Sequence, residues 1–284
     1  MSFYLYRQYK AYFSIKINNK SSLNSAKCFT INGFSKDIEG GNPACVVPLQ
    51  TWLDSAQMQY IAKENGVAET AFFVPEKDGF ALRWFTPDIE MDLCGHATLA
   101  TAHCIREHLN YTESKMRFYS KSGNLTVIAD QDKYVLDFPS RPGALCDLPG
   151  IISKALSHQP SEVYKNRDFL LIYKDQDIIE AIKIDRKIFD QISLGMGGVI
   201  VSAPGKSKDF VSRYFTPQAT ILEDAVTGSA HCTLTPYWSR RLNKRDLTAR
   251  QCSLRGGELM CQYNGERILI SGHAITTDEF KIHW

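Results

Sequence analysis

Short runs of apolar residues with a period near two dominate the chain. Leu125-Thr-Val-Ile-Ala129, Tyr134-Val-Leu-Asp-Phe138, Phe169-Leu-Leu-Ile-Tyr173, Gly198-Val-Ile-Val-Ser202 and Ile268-Leu-Ile-Ser271 are of this kind, and the pattern predicts strands. Helical signals are few. Asp54–Lys63 reads as a helix, with Gly66 just past its end where a left-handed residue stops the spiral. A second helix opens at Gly95 and runs through small residues to about Leu109. A third opens at Gly228 and carries Pro236, which should kink or shorten it because proline removes a helical donor. Many short strands and few helices do not fit a doubly wound parallel sheet, which alternates the two.

The pattern also repeats. Arg83-Trp-Phe-Thr-Pro87 returns as Arg213-Tyr-Phe-Thr-Pro217, at an offset of 130. Downstream, Asp92-Leu-Cys-Gly95 faces Asp224-Ala-Val-Thr-Gly228, each glycine leading into a helix of small residues. In each copy a strand should run into Thr-Pro, because proline ends a ladder. Matching elements in matching order predict two homologous halves, residues 27–140 and 141–284, with the last strand returning to the first half. Residues 1–26 are expected to lie outside the fold as a leader.

Composition narrows the classes. The 284 residues are 44% hydrophobic and 23% charged, ordinary for a globular chain. No stretch approaches the ~18 apolar residues of a membrane span. The leader carries Arg7, Lys10, Lys16 and Lys20 and no acid, and the rest holds 29 basic against 31 acidic residues. That near-neutral body offers no footprint for nucleic acid. The eight cysteines include no Cys-x-x-Cys, so reduced thiols in a cytoplasmic protein are expected.

Candidate chemistry gathers at the two helix starts. A helix N-terminus exposes unpaired N–H groups and attracts anions. Gly95 and Gly228 would let a small carboxylate approach closely, held between the starts without lysine or arginine. Glu69, in the predicted strand after Gly66, shares a face with Val67, Ala71 and Phe73 by alternation. A carboxylate on an apolar face suits general acid–base work. His96 is placed to hydrogen-bond a substrate. With His103 seven residues on, a metal site is a poor fit. Cys94, at a helix start, should have a lowered pKa and be the most reactive thiol, either moving protons or packing as a small residue. Its counterpart in the second half is Ala225 or Val226, so a matched pair of thiols is absent. Asp224 would cap the second helix start or orient His96. His231 and Cys232 read as packing residues.

Glu69 within Ala68-Glu-Thr-Ala-Phe72, Cys94-Gly-His-Ala-Thr98, Glu223-Asp-Ala-Val-Thr-Gly-Ser-Ala230 and the segment from Phe34 through Gly41-Asn-Pro-Ala-Cys-Val-Val47 together resemble the phenazine-biosynthesis isomerase (PhzF-like) family. The resemblance covers residue 27 to the end. It implies a diaminopimelate-epimerase-like α+β fold: two pseudo-symmetric halves, each a mostly antiparallel β-barrel around a central helix, with the active site between them. It implies proton transfer without cofactor or metal, of the type that isomerises trans-2,3-dihydro-3-hydroxyanthranilate. By position, Glu69 matches the acid–base, with His96 and Asp224 as its catalytic support. Asn42, Cys94, Gly95, Thr227, Gly228 and Ser229 match substrate-binding positions. Related epimerases use two cysteines.

The expected function is therefore a cofactor-independent isomerase acting on a small carboxylate, with neither nucleic acid nor membrane as partner and a homodimer as its possible assembly. The alternatives are an amino-acid epimerase or racemase using Cys94, and a non-catalytic metabolite-binding or interaction protein.

Overall fold

The computed structural model describes residues 25–284, so the expected leader lies outside the described residues except for its last two, which open the first strand. In the first half, strands β1 (Ser25–Gly33), β2 (Asn42–Pro48), β3 (Glu69–Glu76), β4 (Gly79–Phe85), β5 (Glu90–Met91), β6 (Lys115–Ser120), β7 (Gly123–Asp130) and β8 (Lys133–Pro139) accompany helices α1 (Ser55–Asn65) and α2 (Gly95–His108). The second half has β9 (Ala144–Leu145), β10 (Glu162–Lys165), β11 (Phe169–Ile172), β12 (Val199–Pro204), β13 (Phe210–Phe215), β14 (Glu223–Asp224), β15 (Asp246–Gln251), β16 (Gly257–Asn264), β17 (Arg267–Gly272) and β18 (Ala274–His283). Its helices are α3 (Gly150–Ala155), α4 (Gln176–Ala181), α5 (Arg186–Phe189) and α6 (His231–Leu242).

The strand pairing is the same in both halves. β2 runs parallel to β3 as β11 does to β12, and β4 parallel to β6 as β13 does to β15. The remaining neighbours are antiparallel, and β8 pairs with β17 to join the halves. β18 returns to lie antiparallel to β1. The repeated arginines explain why the motif recurs. Arg83 forks onto Glu90 at 2.7 and 2.9 Å, and Arg213 forks onto Glu223 at the same two distances. Each guanidinium also lies over the phenylalanine two residues on, Phe85 or Phe215. A planar fork on a carboxylate fixes the short return strand before each helix start.

The register corrects one alignment. Met91 stands opposite Trp84, and Asp224 stands opposite Tyr214. Asp224 is thus the counterpart of Met91, and Asp92 that of Ala225. Counting on from there, the counterpart of Cys94 is Thr227, not Ala225 or Val226.

The two long central helices are buried on all sides. Every residue from Gly95 to Ala102 and from His231 to Ser239 is buried, His103 being the first on α2 to reach an intermediate position. A helix apolar or small all round must be enclosed, and α2 packs on β1, β2, β3, β7, β8 and β18, strands from both ends of the run. α1 covers the outer face. Asp54 caps it in a reciprocal box with Gln57, and Gly66 ends it at φ 63°, as capping chemistry dictates.

Pro236 behaves differently from expectation. α6 continues through it to Leu242, after a 3₁₀ turn at Gly228–Ala230. The carbonyl that Pro236 cannot serve, that of Cys232, accepts instead from the Arg141 backbone N–H at 2.8 Å. With that acceptor satisfied, the main penalty of an internal proline is reduced. Among the described residues, no helix is long and apolar enough to cross a membrane.

Candidate active site

A cavity of about 260 Å³ opens between the halves. The two Thr-Pro loops, Thr86–Ile89 and Thr216–Ala219, line it, as do the starts of α2 and of the second-half helix. Glu69, Cys94, Gly95, His96, Asp224, Thr227, Gly228 and Ser229 all line it. Strand β3 delivers Glu69 as its first residue, after the Gly66 stop, on the same side as Ala71 and Phe73, which pack into the central core with α2. Its side chain is 12% exposed and that of His96 2%.

The carboxylate Oε2 of Glu69 lies 3.1 Å from Nε2 of His96, off the line of a formed hydrogen bond. On the other side of the imidazole, Nδ2 of Asn42 lies 3.0 Å from Nδ1. The amide nitrogen only donates, so Nδ1 accepts, and the neutral ring carries its proton on Nε2, facing Glu69. The same nitrogen lies 2.5 Å from Asp224 Oδ1 and 3.0 Å from the Val226 carbonyl, so its two N–H groups are shared among three acceptors. Three acceptors around one nitrogen fix which way the amide points. Asp224 Oδ2 accepts from the Thr227 hydroxyl at 2.6 Å.

The electrostatics follow from burial and this crowding. Burial and the nearby Glu69 carboxylate raise the pKa of Asp224. At His96, burial lowers the pKa, but the Cys94 sulfur and Glu69 carboxylate more than offset it and leave it well above the usual imidazole value. At Cys94, burial first and Glu69 second push the thiol up to about 11. This overturns the lowered pKa expected from its helix-start position, because desolvation of a buried thiolate outweighs the helix end. The Cys94 backbone accepts from Thr98, and its sulfur lies 3.6 Å from His96 Nδ1. Glu69, Cys94 and His96 do offer ligand atoms within 4.8 Å of one another. The carboxylate faces Nε2 and the thiol Nδ1, so one ion could take the ring from one side only.

Three placements depart from the sequence reading. Asn42 is 1% exposed and stands behind His96 and Asp224 rather than on the cavity wall, so Asp224 meets His96 through it. Gly95 and Gly228 touch each other: a Cβ on Gly95 would lie 2.7 Å from the Gly228 Cα. Their lack of a side chain therefore serves helix-to-helix approach, and an anion would sit over the paired starts rather than between them. Arg167 lines the cavity and donates through Nη2 to Ser229 at 3.0 Å, so the wall does hold a cation. Its only trace in the sequence is Arg167-Asp168 just before a strand, which carries no catalytic pattern.

A family model described as "Phenazine biosynthesis-like protein" matches residues 31–279. The chain belongs to this family. A Pseudomonas aeruginosa relative described as an uncharacterized isomerase is 45% identical over 89% of this chain and 96% of its own length. Another so described, from Halalkalibacterium halodurans, is 40% identical over 87% and 95%. A solved PhzF-family structure from Enterococcus faecalis superposes with TM-score 0.86 at 41% identity, covering 92% of this chain and all of that one. A hydroxyproline epimerase from Agrobacterium vitis shares the fold at TM-score 0.64 and 10% identity, over 91% and 92%. The family assignment places the chain among isomerases with the epimerase-like α+β fold.

Proposed function

We propose that the protein is a cofactor-independent isomerase that relocates a proton on a small unsaturated carboxylate, with Glu69 as the acid–base. The observation that carries this reading is the Glu69 carboxylate on the cavity wall, 3.1 Å from an imidazole whose orientation Asn42 and Asp224 set from behind. Glu69 takes a proton from carbon, and the electron pair left behind moves into the adjoining unsaturation. The protonated Glu69 then returns the proton to a second carbon of the same system. His96 faces the carboxylate with Nε2 at 3.1 Å, and Asp224 holds Asn42 in place. Chemistry of the dihydro-hydroxyanthranilate isomerase type fits this sequence of steps.

A thiol base is disfavoured by the rise of Cys94 to about 11 and by Thr227 at the matching position. A purely binding role leaves the acid–imidazole pair without a purpose. The cytoplasm as its compartment is supported by eight thiols free of disulfides, six of them buried.

The test is solvent-deuterium incorporation into substrates found by screening small unsaturated carboxylates. Glu69→Gln should lower the exchange about 10²–10⁴-fold, the share of one general acid–base, while leaving the binding of unreactive carboxylates nearly unchanged. Wild-type exchange in Glu69→Gln overturns the assignment.

A further inference from the structure

The ladders align the two halves residue by residue at the cavity. Cys45 stands opposite Thr70 in the parallel pair of β2 and β3, and Phe169 opposite Val199 in that of β11 and β12. Asn42 opens β2 three residues before Cys45, and Arg167 lies two residues before Phe169, just ahead of β11. Both reach the residue that follows the helix-start glycine, Asn42 touching His96 and Arg167 touching Ser229. Phe85 stands opposite Thr70 and its counterpart Phe215 opposite Val199, so where the first half has the acid Glu69 the second has Gly198. One framework thus carries a proton-moving group in one half and a cation in the other.

Arg167 is held rigidly. Asp168, 1% exposed, accepts from its Nε and Nη2, the latter at 2.9 Å. Asp168 in turn accepts from the Tyr214 hydroxyl and the Gly198 N–H. The fixed guanidinium donates to Ser229 Oγ. A hydroxyl oxygen already accepting from a cation keeps its own proton to give away. Among the described residues, no side chain or carbonyl takes that proton within hydrogen-bond reach. Ser229 lines the cavity, and the Arg167 Nη1 is likewise without a hydrogen-bond partner, with Asp92 Oδ1 3.9 Å away.

We propose that Arg167 is a positioning residue that commits Ser229 to donate into the cavity, so that this half of the site selects a carboxylate over its neutral amide. The inference rests on the proton-transfer reading for the direction of the substrate: carboxylate toward Ser229, reacting carbon toward Glu69. The body between them lies along apolar walls that include Ile89, Met91, Met196 and Ile221. The substrate class is then a compact, mostly apolar acid with its carboxylate at one end.

The experiment is calorimetric titration with three matched pairs: anthranilate and anthranilamide, benzoate and benzamide, pyrrole-2-carboxylate and pyrrole-2-carboxamide. Wild-type protein should bind at least one acid about tenfold or more tighter than its amide, the scale of a hydrogen bond to a charged group. Ser229→Ala and Arg167→Met should each bring that ratio close to one. Arg167→Met strands Asp168 and can fail to fold. Ser229→Ala leaves the Arg167–Asp168 pair intact and decides the question by itself. A ratio that survives in Ser229→Ala overturns the proposal, as does a wild-type protein that shows no preference or binds none of the six probes. Glu69→Gln should keep the ratio. Loss of the ratio in Ser229→Ala together with wild-type exchange in Glu69→Gln would uphold the anchor and overturn the proton-transfer reading.

Discussion

Nδ2 of Asn42 donates to Nδ1 of His96 across 3.0 Å while also serving Asp224, and this one amide decides which ring nitrogen of the neutral imidazole faces Glu69. Asn42→Asp keeps the size and removes the donor. The proton of the neutral ring should then move to Nδ1. Nitrogen-15 shifts of the ring, read at a pH where it is neutral, report the change. An unaltered pattern in Asn42→Asp would remove Asn42 from this role.

Cys94 is the second case. Burial and Glu69 raise its pKa to about 11, so the thiolate is scarce at neutral pH. Limited alkylation followed by mass spectrometry should label the partly exposed Cys146 and Cys252 before Cys94. Cys94→Ala should keep solvent exchange within about tenfold of wild type, since a protonated thiol is a poor base. Early labelling of Cys94 with a large loss of exchange would restore the thiol reading.

The contact between Gly95 and Gly228 predicts a stability effect. A Cβ at Gly95 meets the Gly228 Cα at 2.7 Å, and backbone cannot move aside as a flexible side chain does. Gly95→Ala should destabilise by about 1–3 kcal/mol or more, measured from urea midpoints. Gly150→Ala, where nothing lies within 4 Å, is the control and should change little.

His231 predicts a pH effect. It is buried, gives its Nδ1–H to the Thr227 carbonyl and leaves Nε2 unpartnered. Burial lowers its pKa to about 4, from 6.5 in the unfolded chain. A lowered histidine costs stability as pH falls through 6.5, because only the unfolded state takes up the proton, and the loss levels off below 4. The contribution is about 2–3 kcal/mol by pH 4.5. His231→Phe should therefore lose less stability than wild type between pH 7 and 4.5 in denaturant titrations. Parallel pH curves for the two proteins would contradict the burial argument.

The local grammar of the chain was legible without coordinates. Alternation marks the strands, Asp54 and Gly66 bracket α1, and the repeated Arg-aromatic-Phe-Thr-Pro marks two strands ending in matching turns. These features act over a few residues, through backbone preference and side-chain period, so a linear reading reaches them. Glu69, His96 and Asp224 were legible as candidates because charged residues beside small-residue helix starts are conspicuous, and the resemblance ordered them. What only the tertiary structure decided is who meets whom. Asn42 lies 54 positions from His96 and 182 from Asp224, and Arg167 lies 62 from Ser229. Those contacts depend on strand register and on two buried helices meeting at glycine. The same packing turned Cys94 from an expected reactive thiol into a protonated one. The helix end that would lower its pKa is a feature of sequence, whereas the desolvation that outweighs it exists only once the halves close around it.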